Sequence, residues 1–109
     1  MEKDQWIENI ILELRRGVIV LAVLHMLQQE QYGYSTLKLL AEAGLDIDQG
    51  TLYPLLRRLE SQGLLESKWR VEEARPRRYY VISAEGRSIL PRIKAEWEKI
   101  GAILDKIIA

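Results

Sequence analysis

The sequence contains no cysteine and only one histidine, His25, among its 109 residues. Disulfides, thiolate metal sites and a cysteine nucleophile are therefore excluded. One imidazole removes paired-histidine metal sites, and nothing beside His25 resembles the partner a catalytic triad needs. No Gly-rich phosphate loop is visible. No metal or other cofactor is expected, and an enzyme is the weakest functional class. A long apolar run is also lacking. Residues 18–27 (VIVLAVLHML) are apolar apart from His25, but ten residues cannot cross a bilayer. They read as a buried helix. The opening Met1-Glu2-Lys3-Asp4 lacks the basic and apolar regions of a signal peptide. The expectation is a cytoplasmic protein with no membrane partner.

An excess of charge of one sign is missing too: 16 Lys and Arg balance 16 Asp and Glu. A whole-chain basic signature for nucleic acid is thus absent. The distribution is uneven, however. Residues 1–50 carry a net −4, residues 51–83 a net +3 and residues 84–109 a net +1. Fields are local to about 10 Å at moderate salt, so a basic segment on a neutral chain still makes a polyanion footprint. The length is that of one domain.

Residues 5–28 read as helical. Ile7, Ile10, Ile11 and Leu14 recur at helical spacing, and the apolar face then widens through 18–27. Gly17 between the halves leaves two readings open: one long helix, or two with different jobs. Residues 34–43 (YSTLKLLAEA) form a second helix, stopped by Gly44. The third starts near Asp48, an N-cap type, and runs to Gln62 with Gly63 beyond. Leu52, Leu55, Leu56 and Leu59 share one face of it. The opposite face carries Gly50, Pro54, Arg57 and Ser61, flanked by Tyr53, Thr51 and Arg58.

The period then changes to two. Leu65, Trp69 and Val71 alternate with charged residues in 65–71, and residues 77–83 (RRYYVIS) are β-branched and aromatic. With the polar EEARP between them, they read as a hairpin. Ser83 caps a last helix, along which Leu90, Ile93, Trp97, Ile100, Leu104 and Ile107 follow a heptad seam. Ile89, Ile103 and Ile108 add a second stripe.

Three helices, a hairpin and a helix is the order of a winged helix-turn-helix. The third helix is about 10–12 Å wide, matching a DNA major groove. Arg57 is suited to bidentate bonds to guanine, and Tyr53 and Thr51 to phosphate or a thymine methyl. Arg75, Arg77 and Arg78 cluster at the expected wing tip, where phosphate contacts are made. Each feature alone also fits a solvated charged surface. Their joint order favours DNA.

Residues Tyr32-Gly33-Tyr34, Gly50-Thr51-Leu52-Tyr53-Pro54-Leu55-Leu56-Arg57-Arg58-Leu59-Glu60, Gly63-Leu64, Pro76-Arg77-Arg78-Tyr79-Tyr80 and Ser83-Ala84-Glu85-Gly86 follow one another in order. This series resembles the PadR family of transcriptional regulators over about residues 16–90. The single long C-terminal helix resembles the family's small subgroup. The resemblance implies a dimeric repressor, often of genes for phenolic-acid detoxification or multidrug export. It maps Tyr34, Ser35, Thr36, Thr51, Tyr53, Arg57 and Arg58 onto DNA-facing positions, and Arg77 and Arg78 onto the wing. Ala74-Arg75 departs from the glycine-rich wing tips common in relatives.

The expected fold is therefore mainly α with a β-hairpin wing. A winged helix-turn-helix over residues 1–83 is joined to a C-terminal dimerisation helix over 84–109, in one compact unit. The apolar surface of the last helix exceeds what so small a domain can cover. Ile7, Ile11, Leu90, Ile93, Trp97, Ile100, Leu104 and Ile107 are the expected homodimer contacts, and operator symmetry rewards two copies. Trp97 is the candidate wall for a small aromatic effector, with ordinary interface packing as the alternative. The leading function is a repressor that binds a palindromic double-stranded DNA operator as a homodimer. The alternative is a winged-helix protein–protein interaction module without specific DNA binding.

Overall fold

A computed structural model describes residues 2–109. Seven elements follow one another: α1 (Glu2–Met26), β1 (Gln31–Tyr32), α2 (Gly33–Glu42), α3 (Gln49–Ser61), β2 (Leu65–Glu72), β3 (Arg75–Ile82) and α4 (Ala84–Ile108). The fold is the winged helix-turn-helix read from the sequence, with differences in detail. The first helix is unbroken: Gly17 lies inside α1 and faces open space. The strand β1 has no sequence signal because it is two residues long. It pairs antiparallel with β3, Tyr32 opposite Tyr79, giving the sheet order β1-β3-β2.

The helix ends are defined by local chemistry. Asp48 caps α3 by accepting a 2.8 Å hydrogen bond from the Thr51 N–H. Gly44 and Gly63 take positive φ just after α2 and α3, which closes both helices in Schellman turns. Ser83 accepts from the Gly86 N–H and donates to the Gly63 carbonyl, tying the start of α4 to the end of α3. A Cβ at Gly86 would collide with the Leu64 carbonyl, so only glycine allows this approach.

The hairpin connection is shorter than the five-residue EEARP segment suggests. Glu73 and Ala74 alone make the turn, with φ of 49° and 62°. Two successive left-handed residues match the right-handed twist of a two-residue hairpin. Arg75 and Pro76 are therefore strand residues. Pro76 pairs with Val71 beyond the reach of β1, where β3 has a neighbour on one side only and a missing N–H is tolerated.

The core combines Ile19, Val23, Leu24 and Leu27 of α1 and its end with Leu40, the four leucines of α3, Leu65, Tyr80, Ile82 and Leu90. Leu90 is a correction to the sequence reading. At 4% exposed it belongs to the core of its own chain and is closed to a second copy. Ile93 also packs partly against this core. The other expected contacts, Ile7, Ile11, Trp97, Ile100, Leu104 and Ile107, stay exposed. The radius of gyration is 15.8 Å, against about 13 Å for a compact chain of this length. The excess reflects helix arms that extend past the core.

Candidate nucleic-acid interface

The α3 helix lies across the molecule with its leucines inward. Its outer face and the wing enclose a cleft of about 790 Å³, lined by Tyr32, Gly33, Tyr34, Gln49, Tyr53, Leu56, Arg57, Trp69, Arg75, Pro76, Arg77, Arg78 and Tyr80. Gly33 and Tyr53 approach closely there: a Cβ at residue 33 would run into the Tyr53 ring unless the ring swung aside. Tyr34 opens α2 and is exposed, while Tyr53 is half-buried. Arg57 projects freely from α3.

Alternation along β3 separates the three arginines. Arg75 and Arg77 share one face and Arg78 takes the other. Arg77 stacks on the Tyr32 ring at 4.6 Å and lies 3.6 Å from the Glu72 carboxylate. Its hydrogen bond with Tyr79 is the main cause that raises its pKa. Tyr79 donates a 2.8 Å hydrogen bond to Glu72, and this bond holds its phenol above the ordinary value. Burial pushes the Tyr80 phenol up as well.

Two expected DNA contacts do not stand as the sequence suggested. Thr36 is fully buried and its hydroxyl donates to the Tyr32 carbonyl at 3.0 Å, so it positions α2 and cannot touch DNA. Arg78 is bound within the chain: its guanidinium meets Glu60 at 2.7 Å and Ser67 at 3.0 Å. Glu60 therefore ties α3 to the wing. Ser35 is half-buried, with its hydroxyl bonded to both the N–H and the carbonyl of Tyr32. Thr51 and Arg58 lie on the other flank of α3. They share a notch of about 500 Å³ with Arg16, Gly17 and Val20 of α1.

Arg16 and Trp69 escaped the sequence reading. Arg16 sits in a helix read for its apolar face. Trp69 shares a strand face with Leu65, but the core ends before it. Trp97 borders neither concavity. Among the described residues, no three His, Cys, Asp or Glu side chains cluster to hold a metal ion, and no helix is long and apolar enough to cross a membrane.

The arrangement matches known proteins closely. Residues 20–92 match the transcriptional regulator PadR-like family. The chain belongs to this family of transcriptional regulators. A PadR family transcriptional regulator from Eggerthella lenta superposes with a TM-score of 0.89 at 42% identity, over 99% of this chain and 96% of that one. The transcriptional regulator Rv3488 of Mycobacterium tuberculosis is 36% identical over 81% of this chain and 83% of its own length. A PadR family transcription regulator from Clostridium difficile aligns with a TM-score of 0.73 at 28% identity, over 84% of this chain and 98% of that one. The family and these neighbours are transcriptional regulators, not enzymes.

Proposed function

We propose that this PadR-like regulator binds double-stranded DNA as a homodimer and represses transcription from a palindromic operator. The observation that carries the reading is the cleft, which brings Arg57 of α3 and the arginines Arg75 and Arg77 of the wing around one concave surface. A helix in the major groove reads bases, and wing arginines neutralise phosphates. Arg57 is the base-reading residue, with Tyr34, Ser35, Thr51, Tyr53 and Arg58 on its flanks and Arg75 and Arg77 on the backbone. Such a protein works in the cytoplasm.

The homodimer reading rests on Ile7 and Ile11 of α1 and on Ile93, Trp97, Ile100, Leu104 and Ile107 of α4. All but Ile93 are exposed large apolar side chains in this chain, more than a lone domain leaves in water. A second copy covering α4 would convert the half-exposed Trp97 into one wall of an enclosed site for a small aromatic effector that releases the operator.

Selection of bound sequences from a random DNA pool tests the core of this reading. An inverted repeat supports a dimer on an operator, while an unenriched pool overturns specific DNA binding. A salt titration separates the protein–protein alternative, because phosphate contacts weaken steeply with salt and an apolar interface does not.

A further inference from the structure

The wing carries a large apolar side chain that the fold does not cover. Trp69 is 64% exposed. It stands on the same β2 face as Leu65, which is buried in the core, and Ser67. Past Ser67 that face leaves the core, overhangs α3 and becomes one wall of the cleft.

The indole is held in place. Arg78 lies opposite Trp69 in the β2–β3 register. Its guanidinium sits 5.8 Å from the Trp69 ring centroid and 5.4 Å from that of Tyr80. Glu60 of α3 and Ser67 of β2 fix the same guanidinium. Glu60 compensates the charge of Arg78, which makes it a weak partner for phosphate. What the assembly presents to the cleft is therefore an oriented indole backed by a neutralised cation.

We propose that Trp69 packs on the deoxyribose of a DNA strand seated in the cleft, with Arg78 and Glu60 as its positioning residues. The inference rests on the DNA-binding reading above. Charge complementarity selects the occupant. Arg57 of α3 and Arg75 of the wing, neither held in an ion pair among the described residues, draw phosphates toward the cleft, while Glu72 partly compensates Arg77. The sugars between those phosphates offer apolar faces, and Trp69 is the most exposed of the large apolar side chains that line the cleft, ahead of Tyr34. The contact carries no sequence information and no charge.

That character defines the test, which is duplex binding by the full chain across a salt series. Trp69→Ala should weaken binding to all duplexes by roughly tenfold, with the slope of log affinity against log salt unchanged. Arg75→Ala should instead lower that slope by about 1. Trp69→Phe should recover most of the affinity, and as a conservative change at an exposed position it keeps the wing folded. Glu60→Gln should weaken binding less than Trp69→Ala, and add nothing in the Trp69→Ala background. In protein labelled with fluorotryptophan, the fluorine resonance missing from Trp69→Phe should shift when duplex is added. Equal binding by wild type and Trp69→Ala, or an unmoved resonance on bound protein, overturns this inference and leaves the DNA-binding reading standing. Absence of duplex binding by wild type overturns both.

Discussion

The two long helices each consist of two halves that look alike in sequence and differ in fate. In α1, Ile19, Val23 and Leu24 are sealed in the core, whereas Trp6, Ile7, Ile10 and Leu14 are exposed. In α4, Leu90 is buried, whereas Ile100, Ile103, Leu104, Ile107 and Ile108 are exposed. Both halves repeat apolar residues at helical spacing. The buried halves are those that pack against each other, α1 also against α2 and α4 also against β3. The exposed halves extend beyond any element of the same chain. Hydrophobic periodicity thus specifies that a face wants cover, and topology decides whether the chain supplies it.

The sharpest way to break this comparison is a charge on an exposed half. In the proposed dimer Ile100→Glu places a carboxylate at the interface in each copy. A buried unpaired charge costs on the order of 3–5 kcal/mol, and two near a symmetry axis repel. Sedimentation should show a monomer, and operator affinity should collapse as half-site pairing is lost. A variant that remains a dimer with normal affinity would move the interface off α4.

The matching change in a buried half is Leu24→Ala. Leu24 is fully enclosed, so truncation should destabilise the fold by about 2–5 kcal/mol in denaturant unfolding. The protein that remains folded should keep its oligomeric state. A loss of association at temperatures where the variant is folded would show that the two halves are not independent.

Arg57→Ala probes a surface with no packing role. Arg57 is exposed and makes no ion pair among the described residues. Specific affinity should fall by about 1–3 kcal/mol with the melting temperature unchanged. Unaltered operator affinity in the folded variant would remove Arg57 from base reading.

The order of elements, the caps at Asp48 and Ser83 and the leucine face of α3 were legible in the sequence because each depends on residues near in the chain. The strand β1 was not, since a two-residue strand exists only through its pairing with Tyr79 and Tyr80. The assignments that moved were those that depend on distant neighbours. Thr36 looked DNA-facing until the Tyr32 carbonyl claimed its hydroxyl. Arg78 read as a phosphate contact because Glu60, eighteen residues earlier, left no trace as its partner. Leu90 continued the heptad seam, and only the position of the core shows that the seam begins inside one chain.

The smallest expected effect lies at the wing turn, the part of the molecule least supported by the core. Glu73 and Ala74 are both left-handed, with φ of 49° and 62°. A side chain with a Cβ crowds the following carbonyl there, at a cost of about 1–2 kcal/mol per residue. Asn-Gly is the dipeptide that this turn type favours. The double change Glu73→Asn with Ala74→Gly should therefore relieve strain, offset partly by the greater freedom of glycine in the unfolded chain. A net gain of about 1 kcal/mol is expected, raising the melting temperature by roughly 4 °C if wing and core unfold together. If the wing opens separately, the melting temperature should hold while the amides of β2 and β3 near the turn exchange more slowly. Neither substitution alters the cleft arginines or Trp69, so DNA affinity should not fall. Faster exchange at these amides, or a lower melting temperature, would show that the turn is not held in the left-handed pair.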